Sequence, residues 1–126
     1  MSAQQVYLDE NAQHDDVEVT ATGLQIKHEV QGKGKQPGPT DTVEVHYAGK
    51  LIDGEQFDSS YDRGQSISFP LNRVIAGWTE GLQLMSEGGK AELTIPASLG
   101  YGEQGAGGVI PGGATLIFTV ELLAIK

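Results

Sequence analysis

Apolar and polar residues alternate in several short stretches of this chain, a pattern typical of half-buried β-strands. The clearest case is residues 42–52, in which Val43, Val45 and Tyr47 fall on one face. Similar alternation marks residues 24–30, 55–60, 66–69, 90–95 and 114–126. Asp53-Gly54 separates two of these stretches and is a strong signal for a tight turn. We therefore expect five or so strands in an antiparallel sheet.

One stretch has the periodicity of a helix instead. Within residues 70–85, apolar side chains recur at steps of three and four residues, at Val74, Ile75, Trp78 and Leu82. Asn72 is the predicted N-cap. Gly77 and Gly81 lower the intrinsic stability of such a helix, so tertiary packing has to hold it together. The whole pattern predicts an α+β domain in which an antiparallel sheet wraps over one short helix.

The first 22 residues differ in pattern from the rest. Ser2 and Gln5 form the S-x-x-Q pattern of a helix start, which predicts a short helix to about Asn11. The acidic, polar stretch 14–23 is typical of a linker, and we expect the first 20 or so residues to be loosely held. We therefore divide the chain into an N-terminal extension, residues 1–22, and one folded domain, residues 23–126.

Charge and composition narrow the functional classes. The 126 residues include 17 acidic and eight basic ones, and the net charge of −9 repels the phosphates of nucleic acids. There is no cysteine, which excludes disulfides and thiol chemistry. No stretch approaches the roughly 18 apolar residues of a membrane span, and the N-terminus lacks a signal-peptide pattern. We expect neither nucleic acid nor a membrane as partner. The expected location is cytoplasmic, or periplasmic if a signal segment has been removed.

The glycine-rich stretch LGYGEQGAGGVIPGG, residues 99–113, leaves three interpretations open. It contains G-x-G-x-x-G, the phosphate-binding fingerprint of dinucleotide enzymes, after a predicted strand. The helix that this fingerprint has to open is missing, because further glycines and Pro111 follow. The other two interpretations are a flexible surface loop and a loop folded over a binding pocket.

The residues offer little for metal or covalent chemistry. His14, His28 and His46 are scattered and lack metal-ligand spacing. Residues 58–69 resemble a calcium loop only loosely, because the glycine falls at position seven and the twelfth residue is Phe69 rather than Glu. No nucleophile motif is present. We expect no metal and no cofactor.

A group of large apolar residues lies on strands and loops that could converge. Its members are Tyr47, Phe57, Ile67, Phe69, Val74, Ile75, Trp78, Tyr101, Ile110 and Phe118, and the carboxylate of Asp58 stands beside Phe57. A filled core is the ordinary interpretation of such residues. However, buried tyrosine hydroxyls and a buried carboxylate need partners. An apolar pocket with a few directed polar groups is the general form of a small-ligand site.

Three stretches resemble the FKBP-type peptidyl-prolyl cis-trans isomerases: VEVHYAGKLIDGEQFDSS, VIAGWTEGLQLM and LTIPASLGYGEQGAGGVIPGGATLIFTVELL. The resemblance runs from about Leu24 to Lys126 in unbroken order. The junction YLDENAQ to TATGLQIK is similar to the bacterial Mip-like and FklB-like branch. Members of that branch carry a helical dimerising arm before the domain. The arm is nearly absent here, so we expect a monomer.

The resemblance implies a five-stranded antiparallel half-barrel sheet curled over one short α-helix. It also implies a pocket with Trp78 as its floor and substrate-binding walls made by Phe57, Ile67, Phe69, Val74, Ile75 and Phe118. Tyr47, Asp58 and Tyr101 would be catalytic. The Tyr101 hydroxyl and the backbone N–H of Ile110 would donate to substrate carbonyls. Asp58 would orient the pocket and meet the rotating carbonyl carbon or its hydrogen-bond network. Residues 99–113 would be a flap beside the site.

The implied activity is the isomerisation of X–Pro bonds during protein folding, through non-covalent stabilisation of a twisted amide. Substrates would be proline-containing polypeptides, and macrolides would be inhibitors. The alternative is a non-catalytic, peptide-binding chaperone module that uses the same pocket. Many members of the family carry an aromatic or imidazole side chain at the tip of the flap, where this chain has Ala106 and Gly107. That difference bears on substrate preference.

Overall fold

The computed structural model describes residues 2–126, which form one seven-stranded antiparallel sheet with helices on it. The strands are β1 Glu18–Val19, β2 Gln25–Val30, β3 Thr42–Lys50, β4 Gln56–Ser59, β5 Ile67–Pro70, β6 Lys90–Ile95 and β7 Leu116–Ile125. The α-helices are α1 Ala3–Asn11, α2 Ser60–Arg63 and α3 Ala76–Gln83. Two single 3₁₀ turns cover Leu71–Arg73 and Ala97–Leu99. The predicted α+β class is confirmed, and the sheet has seven strands rather than the predicted five.

The order of the strands places the latest one in the middle of the sheet. The order is β1-β2-β6-β7-β3-β4, with β5 also paired to β3. One edge of β3 pairs with β7, and the register sets Gly49 opposite Phe118. The other edge is shared, because β5 pairs with the first half of β3 and β4 with its last residues. Strand β3 therefore brings β4, β5 and β7 together around its own side chains.

Helix α3 packs closely on one face of the sheet, and its glycines make the close approach possible. A Cβ atom on Gly77 would lie 2.7 Å from Cγ2 of Ile95, and one on Gly81 would lie 2.8 Å from Cδ1 of Leu93. Both distances are shorter than carbon atoms tolerate, so larger residues would push the helix away. The two glycines that weaken the isolated helix are thus what fits it to β6.

Helix α1 contacts the sheet through residues that alternate away from the face under α3. The Asn11 side chain donates to Oε1 of Gln25 at 2.7 Å and to Oγ1 of Thr94 at 3.2 Å. The Gln25 amide in turn donates to the Leu8 carbonyl at 2.9 Å. The Ser2 hydroxyl accepts from the Gln5 N–H at 3.1 Å, which confirms the predicted helix start. The expectation of a loosely held segment is not met for α1, because these hydrogen bonds anchor it.

Other differences from the predictions concern short elements. Strand β1 lies inside the predicted linker, and α2 begins at the end of the predicted strand 55–60. The prediction of Asn72 as N-cap is wrong, because α3 begins at Ala76 and its N-cap is Ile75. Leu71 explains the shift, since its side chain is fully buried and its N–H donates to the Asp41 carbonyl at 2.9 Å. This anchoring stops the chain in a 3₁₀ turn before the helix can begin.

Candidate functional site

A cavity of about 720 Å³ opens between the sheet, the start of α3 and the flap, residues 99–113. Its lining residues are Tyr47, Phe57, Asp58, Ile67, Phe69, Arg73, Val74, Ile75, Trp78, Tyr101, Ala106, Gly107, Val109, Ile110 and Phe118. Strands β3, β4, β5 and β7 each contribute to the wall. All eleven residues predicted for the site line this one cavity. These residues therefore border an open cavity, and Tyr47, Trp78, Ile110 and Phe118 also belong to the buried core.

Trp78 forms the floor of the cavity and packs against three neighbouring aromatic rings. Only 5% of its surface is exposed. The rings of Tyr47 and Phe118 each lie 5.1 Å from the Trp78 ring, at interplanar angles of 80° and 86°. Phe69 lies 5.3 Å from it on another side. Such edge-to-face pairs are favourable for ring quadrupoles and fix the rings in place. The floor is therefore a rigid aromatic surface.

One polar cluster interrupts the apolar wall. The Tyr47 hydroxyl donates to Oδ2 of Asp58, and Nη1 of Arg63 donates to Oδ1 of the same carboxylate. Nη2 of Arg63 also donates to the Tyr47 hydroxyl oxygen at 3.0 Å. The backbone N–H of Ser59 adds a bond to Oδ1 of Asp58 at 2.9 Å. Both carboxylate oxygens are thus hydrogen-bonded within the chain.

These contacts set the protonation states of the cluster. Burial raises the pKa of Asp58, but the hydrogen bonds from Tyr47 and Arg63 and the charge of Arg63 outweigh it. The pKa of this carboxyl therefore lies below its ordinary value. Burial, with the hydrogen bond to Asp58 next, raises the pKa of Tyr47. At neutral pH the site holds an ionised carboxylate beside a neutral phenol.

Ser60 fixes the backbone behind this cluster. It is fully buried, and its Oγ accepts from the Tyr47 N–H at 2.7 Å. The same oxygen lies 3.2 Å from the Tyr47 carbonyl oxygen and 2.8 Å from Nδ1 of His46. Ser60 also begins α2, the single turn that carries Arg63. One hydroxyl group therefore ties the segment bearing Asp58 and Arg63 to the strand bearing Tyr47.

The flap is built from turns that require glycine. Gly102, Gly105, Gly107, Gly108 and Gly113 all have positive φ, between 58° and 77°. Side chains rarely adopt this conformation, and glycine adopts it without strain. The Ala106 N–H donates to the Ile110 carbonyl at 2.9 Å, which closes the tip of the flap. The glycines thus serve tight turns over a pocket. No helix follows them to hold a phosphate.

The two predicted hydrogen-bond donors of the flap differ in the structure. Tyr101 is 41% exposed and lines the cavity, and its hydroxyl has no partner among residues 2–126. The Ile110 N–H, predicted as a donor to substrate, instead donates to the Ala106 carbonyl at 3.0 Å. The turn at the tip uses this group, so its predicted role is corrected. The Ile75 N–H, just before α3, has no acceptor within the described chain.

The predicted site residues do not include Arg63 or four residues of the lining, namely Arg73, Ala106, Gly107 and Val109. Arg63 is exposed and follows Asp58 by five residues, a spacing that carries no periodic signal. Val109 is an exposed apolar residue in a polar loop, and this feature could have marked it as part of a site. For Ala106 and Gly107, the sequence indicates only a difference at the flap tip.

Across residues 2–126 the structure has no helix that is long and apolar enough to cross a membrane. Nor do three or more His, Cys, Asp or Glu side chains gather anywhere in that range as metal ligands would. The polar groups of the cavity are a carboxylate, two phenols, a guanidinium and backbone N–H groups. Such groups can orient a peptide by hydrogen bonds, and the apolar walls can hold an apolar ring.

Comparison with known proteins gives consistent matches. The family model of the FKBP-type peptidyl-prolyl cis-trans isomerase matches residues 33–123. The FKBP-type 22 kDa peptidyl-prolyl cis-trans isomerase of Escherichia coli is 56% identical over 119 residues, which are 94% of this chain and 58% of that protein. The isomerase FkpA of Aeromonas hydrophila is 54% identical, over 95% of this chain and 44% of that protein.

A solved structure agrees with these matches. The crystal structure of FkpA from Escherichia coli superposes with a TM-score of 0.94 at 46% identity. The superposition covers 98% of this chain and 57% of that one. The chain thus spans about half the length of the two curated relatives and of this solved structure.

Proposed function

This chain belongs to the FKBP-type peptidyl-prolyl cis-trans isomerase family, and we propose that it accelerates the cis–trans isomerisation of X–Pro bonds in polypeptides. The observation that carries the proposal is the apolar cavity above Trp78, with one ionised carboxylate in its wall. Its residues come from four strands, a helix and the flap. The cavity is large enough for a prolyl ring and parts of its neighbours.

The chemistry requires no covalent step. Rotation about the X–Pro bond breaks amide resonance against a barrier of about 18–20 kcal/mol. The uncatalysed exchange therefore takes tens of seconds or more. The twisted amide has a less polar carbonyl than the planar one. An apolar pocket consequently favours the twisted form over the hydrated planar form, which lowers the barrier.

We assign the polar groups positioning and electrostatic roles. Both oxygens of Asp58 already accept hydrogen bonds from Tyr47, Arg63 and Ser59, so we do not assign it the role of a general base. Its negative charge faces the pocket, where it meets the carbonyl carbon of the rotating amide or orders the hydrogen bonds around it. Tyr47 and Arg63 hold the carboxylate in that orientation.

Backbone carbonyls of the substrate need donors on either side of the prolyl ring. We propose the Tyr101 hydroxyl for one of them, because it lines the cavity and has no partner within residues 2–126. For the other we propose the Ile75 N–H in place of the Ile110 N–H, which is engaged in the flap. Val74, Ile75, Ile67 and Phe69 would pack against the ring itself.

The same pocket supports two further proposals. Macrolides that mimic a prolyl segment should bind above Trp78 and inhibit the activity. A non-catalytic chaperone function is the second candidate, because an apolar pocket can retain chains without isomerising them. The presence of Tyr47, Asp58 and Tyr101 together in the cavity lining favours the enzyme. We further propose that the chain acts as a monomer, and its cytoplasmic location stays a prediction.

The decisive experiment is the refolding of a protein limited by proline isomerisation, with and without this chain. A third arm contains a macrolide inhibitor, and the fluorescence of Trp78, the only tryptophan, reports on its entry. Acceleration that the macrolide abolishes is the expected result. Quenching without acceleration would instead favour the chaperone module. The absence of both acceleration and quenching would contradict both functions and would leave the cavity without an assigned ligand.

A further inference from the structure

The chain has only two arginines, and both lie beside the cavity in different states. Arg63 is bound to Asp58 and Tyr47. Arg73 lines the cavity and is exposed. No carboxylate of the described chain lies within 4.0 Å of its guanidinium, and it makes no hydrogen bond there. An arginine that lines a binding cavity without a partner is free to bind one.

The backbone that carries Arg73 is fixed. Leu71, two residues earlier, is fully buried and its N–H donates to the Asp41 carbonyl at 2.9 Å. The Thr79 hydroxyl of α3 donates to the Leu71 carbonyl at 2.5 Å. The 3₁₀ turn Leu71–Arg73 is thereby anchored at both the sheet side and the helix side. The backbone position of its last residue, Arg73, is therefore fixed at the wall of the cavity.

The charges around the cavity do not cancel. Asp58 and Arg73 are the only charged residues in its lining, and Arg63 already balances Asp58. The site therefore carries about one net positive charge, on a chain whose total charge is −9. Acidic peptides are repelled by the surface at long range, and Arg73 reverses this only at the cavity. Arg73 can therefore discriminate only among residues of the substrate that lie at the cavity.

We propose that Arg73 binds a carboxylate side chain of a residue next to the substrate proline, so that Glu-Pro or Pro-Glu segments are preferred over their neutral and basic counterparts. This inference rests on the function proposed above. The planar guanidinium presents a fork of N–H donors that matches a carboxylate, and a bidentate pair orients as well as attracts. The prolyl ring on Trp78 then fixes the distance to the flanking residue.

The test measures kcat/KM for cis–trans exchange by NMR on matched proline peptides. One series places Glu, Gln or Lys directly before the proline, and a second series places them directly after it. For one of the two positions we expect Glu to exceed Gln about two- to fivefold, the size of an exposed ion pair, and to exceed Lys by more. The preference should shrink at about 1 M salt, where the screening length falls to about 3 Å.

Three variants decide the cause of the preference. Arg73→Gln should bring the Glu/Gln ratio to about one, and Arg73→Glu should invert the Glu/Lys ratio. Lys33→Gln changes the net charge equally but lies outside the cavity lining, so it should keep the ratio of the unmodified chain. Equal rates for Glu and Lys in both series, or an equal effect of Lys33→Gln, would overturn the proposal.

The Gln peptides separate this inference from the function on which it rests. Catalysis of the Gln peptides without any preference for Glu overturns the role of Arg73 alone. If no peptide is isomerised, their affinities are compared through Trp78 fluorescence. Tighter binding of Glu peptides that is lost in Arg73→Gln then supports the carboxylate site while the isomerase proposal fails. Equal binding, or none, overturns the carboxylate site as well.

Discussion

The hydroxyl of Tyr47 is hydrogen-bonded to the carboxylate of Asp58 across the neighbouring strands β3 and β4. Arg63 contacts both groups from the turn that follows β4. The three side chains are separated in the chain by eleven and five residues, and the buried hydroxyl of Ser60 adds to the β3–β4 pairing that holds their backbones together. The proposed activity therefore depends on the charge of Asp58 and on its supports.

The charge of Asp58 can be removed while its size is kept. Asp58→Asn should lower kcat/KM for peptide isomerisation about tenfold to a hundredfold, since bonds to a charged group contribute about 1.5–3 kcal/mol. Asp15→Asn is the matched control, because Asp15 is exposed and lies outside the cavity lining. NMR exchange on one neutral proline peptide measures both variants. Equal rates for the two would remove Asp58 from the catalytic group.

Stability should depend on the same carboxylate in acid. Burial raises the pKa of Asp58, but its hydrogen bonds and the Arg63 charge lower it below the ordinary value of 3.8. A carboxyl whose pKa is depressed by folding stabilises the fold above its unfolded pKa, and this contribution is lost as pH falls through the folded pKa.

The expected result is a difference in Tm between the unmodified chain and Asp58→Asn that is constant from pH 7 to about 5 and shrinks below about pH 4. Thermal unfolding followed by circular dichroism measures it. Arg63→Gln removes one cause of the depressed pKa of Asp58, so the difference in Tm should be lost at a higher pH. A difference that persists unchanged at about pH 2.5 would contradict the assignment.

Gly49 controls the width of the cavity from behind two aromatic rings. A Cβ atom there would lie 2.6 Å from Cε1 of Phe118 and 2.7 Å from Cζ of Phe57. Gly49→Ala should push these rings into the cavity, weaken macrolide binding and lower the free energy of unfolding by about 1–3 kcal/mol. Trp78 fluorescence and urea unfolding report the two effects.

Gly38→Ala is the control for this prediction. Its Cβ would meet only Oδ2 of Asp41, at 3.6 Å, which is an ordinary contact. We expect the control to bind macrolide as the unmodified chain does. If Gly49→Ala kept the same affinity and stability, the two rings would have to move outward rather than into the cavity.

Ser60 offers a test of the support behind the cluster. Ser60→Ala leaves the buried N–H of Tyr47 without its acceptor, so the free energy of unfolding should fall by about 1–3 kcal/mol. Ser98→Ala, at an exposed serine, should stay within about 0.5 kcal/mol of the unmodified chain. Urea unfolding compares the two. A small effect of Ser60→Ala would mean that another group takes over the Tyr47 N–H.

Much of the site could be predicted because the type and the alternation of the side chains indicate which residues face the pocket. Tyr47 on β3 and Phe118 on β7 lie on faces that the two-residue period identifies, and both are buried. The side-chain pattern does not predict which hydrogen-bond partners the backbone groups have. The Ile110 N–H is occupied by a turn inside the flap, and nothing in the side chains around it indicates this.

Short elements were missed for a related reason. Strand β1 has two residues and α2 has four, so neither is long enough to display a period. The start of α3 was misplaced because Asn72 is a good N-cap in isolation, whereas the burial of Leu71 decides the backbone at that point. At the start of α3, a contact distant in sequence thus overrides a local preference.

Strand β7 comes latest of the seven strands in the chain, yet it lies between β6 and β3 in the middle of the sheet. On a ribosome, which releases the chain from its N-terminal end, β3 and β6 emerge before the strand that joins them. Until β7 arrives, Tyr47 lacks its neighbour Phe118, and Trp78 lacks one of its edge contacts. The pocket is thus assembled only after nearly the whole domain has been translated.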